Sequence, residues 1–443
     1  MELLEIDTGD TAWVLIAATL VFFMTPGLAF FYGGMVKAKS VLNMLMMSMV
    51  TIGIVAVLWV LYGYSIAFGN DVGLGLLGNP MEYLGLTSLL GAGAESGTIP
   101  TLAFVGFQGA FAVIATALIS GAVADRMRFG AWAVFAALWA TLVYFPAAHW
   151  VFAFDGDGYT GGFIANQIGA IDFAGGTAIH INAGIAALAL VLVLGNRIDF
   201  RRRPTRPHNL TLVMLGAGIL WFGWFGFNAG SAVAAGELAG LAWVNTLVGA
   251  AAAMIAWLIV ERLRDGHATS LGAASGIVAG LVGITPACAN VSPVGAIIIG
   301  AAAGVACAFA IGLKNKLGYD DSLDVVGVHL VGGLIGTLLI GFLADPMGDP
   351  EGAAGLFYGG GLGQLWAQFL GAAAVLVYSF VVTFIIAKAL SLVMKLRVSE
   401  SAEAEGIDVT QHAETGYDLS SVGYSTYTVR QTLLVPARED ASK

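Results

Sequence analysis

The sequence predicts an all-α polytopic membrane protein, and three observations carry that prediction. Apolar stretches of about 20 residues recur along nearly the whole chain, each long enough for a helix to cross ~30 Å of hydrocarbon. Charged residues make up 11% of the 443 positions, under half of the roughly 25% found in a soluble domain, and mean hydropathy is +0.85. The 19 Lys and Arg residues fall on one set of alternating connections and are missing from the other.

The chain opens with MELLEIDTGD, acidic and without a basic n-region, which reads as the start of the mature protein and not as a signal peptide. The first span, 11–35, leads to Lys37 and Lys39. The second, 41–68, is followed by an uncharged-to-acidic stretch, 69–100. The third, 101–123, reaches Arg126 and Arg128, and the fourth, 129–152, leads to the Lys- and Arg-free segment 153–172. The fifth, 173–195, runs into Arg197, Arg201, Arg202, Arg203 and Arg206. The sixth and seventh, 209–231 and 239–260, flank 232–238 and end at Arg262 and Arg264. The eighth and ninth, 270–287 and 294–313, flank 288–293 and end at Lys314 and Lys316. The tenth, 325–344, precedes 345–360. The eleventh, 361–396, is the longest and carries Lys388 and Lys395 toward its end, with Arg397 just beyond. At ~1.5 Å per residue it would exceed ~50 Å, so it is expected to tilt or project from the bilayer. The positive-inside rule places the N-terminus outside and the C-terminus in the cytoplasm, which requires an odd number of spans. Eleven fits.

Composition changes at about residue 397. The expected division is a membrane domain, 1–397, and a polar, acidic cytoplasmic tail, 398–443, which holds Arg430, Arg438 and Lys443. Cys288 and Cys307 have no CxxC spacing and read as small buried packing residues. The 61 glycines suit close helix–helix approach in lipid.

A weak repeat lies within the spans. Asp172 precedes His180 by eight residues at the start of the fifth, and Asp321 precedes His329 by the same interval at the start of the tenth. Five spans separate the copies, so they run in opposite directions: an inverted five-plus-five repeat, whose substrate path belongs at the repeat interface. An ionisable side chain inside a span is costly and marks a functional site by default. The bland reading of each histidine is a hydrogen-bonded strut between helices. The mirrored placement favours function for His180 and His329, whereas His149, near the end of the fourth span, reads as structural. Neither membrane histidine has a His, Cys or Glu at i+3 or i+4, so no metal is expected, and no cofactor.

The stretch DFAGGTAIHINAGIAALALVLVLGNR, Asp172 to Arg197, resembles the signature of the ammonium transporter (Amt/Mep/Rh) family. Pro26-Gly27, FYGG from Phe31, FQGAFA from Phe107, WFGFNAGSA from Trp224, GITPA from Gly283 and DVVGVH from Asp324 are similar too, in the same order. The resemblance covers roughly residues 10 to 415 and implies eleven spans, a homotrimer and one pore per subunit. It implies His180 and His329 as twin pore-lining histidines, and Phe111 and Phe227 as stacked rings closing the outer mouth. It also implies Ser231, Phe111 and Phe152 as the recruitment site for the cation, and Asp172 as the buried acid supporting the vestibule. Phe152 departs from the pattern, since many members carry tryptophan there; Trp150 is near but faces another side of the helix. Residues 395–410 resemble the family's ordered cytoplasmic end, with Thr410 as a regulatory position and a PII-type signalling protein as a partner on that face. The basic loop 197–206 is expected to attract the acidic tail.

The chemistry suits these residue types. A charged ammonium at the bilayer centre costs several kcal/mol, whereas neutral ammonia avoids most of that. Aromatic faces and a hydroxyl can hold the cation outside, and buried neutral imidazoles can pass a small polar molecule within. The expected function is therefore transport of ammonium/ammonia through a cell membrane and its lipid bilayer by a multi-pass channel, not an enzyme and without nucleic acid. The alternatives are an ammonium sensor on the same scaffold, a cation-coupled secondary transporter, which would carry a mid-span acid, and a membrane metalloenzyme, which would need a ligand cluster.

Overall fold

A computed structural model describes residues 5–91, 97–202, 206–347 and 352–417. The tail beyond Tyr417, with its three basic residues, and Arg203 of the basic loop lie outside the described residues. The helices are α1 (Thr8–Met35), α2 (Ala38–Phe68), α3 (Thr101–Val123), α4 (Phe129–Phe152), α5 (Gly176–Leu194), α6 (Leu210–Gly230), α7 (Glu237–Asp265), α8 (Ser270–Ile284), α9 (Pro293–Leu317), α10 (Val326–Leu343), α11 (Gly363–Val393) and the short α12 (Glu400–Glu405). Ten of these are long and apolar enough to cross a membrane, and α8 is a shorter apolar helix of 15 residues. Each of α1 to α11 coincides with one of the expected stretches.

The helix ends follow local chemistry. Asp7 accepts the Asp10 N–H, Asn209 that of Leu212 and Thr269 that of Gly272, each capping the helix that follows. Several ends differ from expectation by up to five residues, α7 running on to Asp265 and α9 to Leu317. The eighth stretch stops at Ile284 instead of 287, because Pro286 has no N–H and restricts the residue before it. At roughly 22 Å, α8 is short of ~30 Å of hydrocarbon, and hydrogen-bonded turns continue the path to α9. The last long helix, α11, is 31 residues long, the same as α2, and ends at Val393. Beyond it the chain turns extended and pairs with the segment before α4: the Arg128 N–H donates to the Leu396 carbonyl at 2.9 Å and the Val398 N–H to that of Arg126 at 3.0 Å.

Burial sorts the helices into inner and outer sets. In α3 and α5, 83% of the apolar window is buried; in α2, α7 and α11 only 33% is. The outer faces show Leu15 and Phe22 on α1, Phe222 on α6, Ile255 on α7 and Val381 on α11, all exposed. Water would tolerate such a belt poorly; hydrocarbon favours it. Packing is duplicated across the chain. Helix α1 packs on α2 and α3, as α6 does on α7 and α8, and α2 meets α3 and α4 as α7 meets α8 and α9. The two sets join where α1 crosses α6 and where α5 crosses α10. That second crossing is made close by glycine: a Cβ on Gly184 would lie 2.4 Å from the Leu330 nitrogen, and one on Gly333 would lie 3.2 Å from the His180 Cβ.

One end of the bundle holds a buried charge network. Arg126 donates to the carbonyl of Gly195 at 2.8 Å and to the Ser322 hydroxyl at 2.7 Å. Arg197 forms a two-pronged pair with Asp320 at 2.9 and 2.8 Å and lies 3.5 Å from Asp125. Burial opposes ionisation of Asp320, but Arg197, with Arg126 beside it, holds its carboxyl below the usual range. Residues 398–417 seat on this end. Asp408 accepts the N–H groups of Leu42 and Asn43 at 3.0 and 2.8 Å, capping the α-helical stretch of α2 that begins at Val41, where the Ser40 side chain makes no cap. Glu403 accepts the Ile198 N–H at 2.8 Å and pairs with Arg397 at 2.6 Å. The expected attraction between basic loop and acidic tail takes a specific form: Glu403 of the tail reaches the loop at Ile198 and adds to the negative charge around Arg197. Arg197 is committed to Asp320, Arg201 donates to the Asn315 carbonyl, and the tail meets that loop through the Ile198 backbone.

Candidate functional site

The repeated acid-to-histidine interval has a local cause. Asp172 Oδ1 accepts the N–H groups of Gly175 and Gly176 at 2.8 and 2.6 Å, and Oδ2 those of Thr177 and Ala178 at 2.7 and 3.1 Å; the Thr177 hydroxyl also donates to it. Asp321 accepts those of Val325 and Val326 at 3.1 and 2.7 Å. Each acid therefore satisfies the free amides at the start of α5 or α10, and the histidine follows within the first two turns. Both helices open with a wide π-type turn, Gly176–Ile181 and Val326–Leu330, entered from a residue in the left-handed region, Gly175 or Asp324. Such turns cluster at functional sites.

This construction brings His180 and His329 together. Their Nδ1 atoms are 3.3 Å apart, and the rings lie nearly parallel with centroids 5.4 Å apart. Both are buried. The Nε2 atom of His180 makes no hydrogen bond among the described residues, so it is free to meet a small polar molecule. A narrow cavity lined by Leu28, Ile114, Leu220, Phe227, His180 and His329 runs along the pair. A second, wider cavity shares Phe31, Val278 and His329 and continues to Asp324 and Glu261.

Rings stack above the histidines. Phe111 and Phe227 have centroids 4.3 Å apart and both are buried. Phe107 packs edge-on against Phe111 at 4.7 Å, and Phe227 lies 6.0 Å from His180 with nearly parallel planes. Ser231 caps the end of α6 and donates its hydroxyl proton to the Phe227 carbonyl at 2.8 Å. Its oxygen lone pairs are left to accept, which is what a cation's N–H requires. Phe152 ends α4, half-buried against the core. Trp150 turns elsewhere: its Nε1–H donates to the Leu76 carbonyl at 2.8 Å, and its ring packs on Tyr378. His149 is a strut, with Nδ1 3.0 Å from the Ala67 carbonyl and Nε2 3.4 Å from Asp71. Thr410 lies apart from all of these in the seated tail, donating to the Gly406 carbonyl at 2.9 Å.

Sequence reasoning missed three members of this constellation: Phe107, Phe31 and above all Trp224, whose indole packs against both Phe227 and His180. A signal existed. Trp224, Phe227 and Ser231 are spaced i, i+3, i+7, and Phe107 and Phe111 i, i+4, so each set shares one helix face.

Comparison with known proteins agrees along most of the chain. The model of the Ammonium Transporter Family matches residues 12–417. An ammonium transporter of Mycobacterium tuberculosis is 58% identical, the match covering 96% of this chain and 94% of that one. One of Aquifex aeolicus is 49% identical over 94% and 95% of the two chains. Among solved structures, Mep2 of Saccharomyces cerevisiae superposes with a TM-score of 0.81 at 34% identity, covering 89% of this chain and 91% of Mep2. A sensor Amt protein superposes at 0.84 and 30% identity, covering 91% of this chain and 98% of its own. From residue 12 to residue 417, then, this chain belongs to the ammonium transporter family.

Proposed function

We propose that this protein moves ammonium across a membrane by holding the cation in an outer vestibule, releasing its proton there, and passing ammonia along the histidine-lined path. The observation that carries the reading is the unbroken series from the Phe111–Phe227 pair to the His180–His329 pair, with the cavity beside it. An apolar conduit disfavours any ion, and potassium has no proton to lose, so deprotonation is the selective step. Ser231, Phe111 and Phe152 form the recruitment site and Asp172 supports it from below. The duplicated packing and the one-sided basic loops support an inverted repeat of eleven spans with the C-terminus in the cytoplasm of a cell-membrane protein. A homotrimer and a PII-type partner belong to the same reading and rest on the family alone.

Proteoliposomes holding only this protein test it. Labelled methylammonium uptake, competed by unlabelled ammonium and recorded with membrane current, is the expected result. No uptake from correctly folded protein would favour the second reading, an ammonium sensor, which likeness to the sensor Amt protein keeps in view.

Two finer expectations follow from the site. Tryptophan attracts cations more strongly than phenylalanine, so Phe152→Trp should strengthen recruitment by up to ~1 kcal/mol, roughly fivefold in half-saturation concentration. An unchanged value would remove Phe152 from the recruitment site. At the other end, truncation after residue 397 deletes the Asp408 cap on α2 and the Glu403 contact with Ile198, and should lower activity. Thr410→Asp should do so more mildly. It loses the donor to Gly406 and adds charge beside Asp408, at about 1 kcal/mol of tail seating. Full transport by the truncated protein would leave the tail a solvated appendage.

A further inference from the structure

The GITPA segment, Gly283 to Ala287, is a motif that the proposed pathway does not use, yet it touches that pathway twice. Pro286 ends α8 inside the bundle, and this leaves Thr285 facing the indole of Trp224. The Thr285 hydroxyl donates to the Leu281 carbonyl at 2.7 Å and accepts the Trp224 Nε1–H at 2.8 Å. With its one proton committed to Leu281, the hydroxyl presents a lone pair to the indole in a single orientation. Both side chains are buried. The indole plane lies 21° from that of His180 with centroids 5.5 Å apart, and Phe227 packs on it at 5.3 Å. Next in the chain, the Pro286 carbonyl accepts the Phe173 N–H at 3.1 Å, just ahead of the turn that begins α5.

We propose that Thr285 is a positioning residue for transport: it fixes the Trp224 indole, and through that ring the plane of the His180 imidazole. A free indole N–H in this apolar interior would be costly, so loss of the hydroxyl turns the ring toward another acceptor and removes the flat wall behind His180. Threonine here sets the throughput of the histidine segment and its tolerance for a methylated amine, and leaves capture at the outer mouth alone. The inference rests on His180 lining the path.

The test uses the full-length protein in proteoliposomes, with Thr285→Val, Thr285→Ser, Trp224→Phe and the Thr285→Val/Trp224→Phe double variant. Valine keeps the shape and removes the hydroxyl. It should lower the maximal rate roughly tenfold, the worth of one buried hydrogen bond, and change the methylammonium-to-ammonium ratio at a nearly constant half-saturation concentration. Serine should restore both. Trp224→Phe has no N–H to hold, so in that background Thr285→Val should add nothing. A wild-type rate and ratio in Thr285→Val, a serine variant as impaired as valine, or additive losses in the double variant would each overturn the proposal. If Thr285→Val fails to fold, Trp224→Phe alone must reproduce the changed rate and ratio, and a wild-type result there counts against it equally. His180→Ala run in parallel separates the two levels: wild-type transport in that variant removes the pathway reading itself, whereas its loss beside an unaffected Thr285→Val removes only this inference.

Discussion

Alanine in place of His180 or His329 is expected to abolish or re-specify conduction while leaving the fold intact. The rings are in mutual contact, with Nδ1 atoms 3.3 Å apart. They bring nitrogen to a cavity whose other walls include Leu28, Ile114, Leu220 and Phe227. A molecule of ammonia that enters without a hydrogen-bond partner bears an unmet polar cost of about 1–3 kcal/mol, or roughly 10- to 100-fold in rate. Removal of either ring also strips its partner of the contact that orients it, so the losses should not add in the double variant. Uptake of labelled methylammonium with simultaneous current recording reads both rate and selectivity. Wild-type values for both in both single variants would dismiss the pair as struts.

The second large effect is expected at Phe227. Its ring contacts Phe111 at 4.3 Å, Trp224 at 5.3 Å and, more distantly, His180. Phe227→Ala opens a gap in the middle of that stack, where a phenylalanine truncation costs about 3–5 kcal/mol of stability. The functional consequence is an outer mouth without its closing ring. Ammonium-dependent transport should change strongly, and potassium or sodium exclusion should weaken, as read by ion flux into the same vesicles. Normal transport with both ions still excluded would end the assignment of a gate to this pair.

How legible these features are in the sequence depends on the range of the forces behind them. The spans are readable because lipid burial imposes a long apolar run, and no distant residue need be known. Their ends are less so. Pro286 could have warned of an early stop in α8, but Val393 ends α11 where the chain leaves to pair with residues 126–128, a contact remote in sequence. The Asp–His interval is visible as a pattern, while its cause, a carboxylate gathering the free amides of a helix start, appears only in three dimensions. Trp224 was passed over within a motif because an aromatic residue in a span is usually packing. The attraction between basic loop and acidic tail is legible as charge, whereas the main hydrogen-bonding partner of Arg197, Asp320, is 123 residues away in sequence and is not. Asp408 shows the same limit, since a helix that lacks its own cap gives no hint of which distant residue provides one.

The close crossing of α5 and α10 also bears on how this protein could change over time or under redesign. Gly184 and Gly333 each stand four residues after a histidine; a single added carbon at Gly184 would collide with the opposite helix, and one at Gly333 would press on it tightly. The spacing of the two helices at the twin imidazoles is therefore held largely by main chain at Gly184, which no choice of rotamer can relax. A library aimed at admitting bulkier amines by varying only the lining side chains would explore a conduit of fixed calibre. Widening it calls for paired replacements on the two faces of that one crossing, so such variants lie across a valley that single-step selection does not readily traverse.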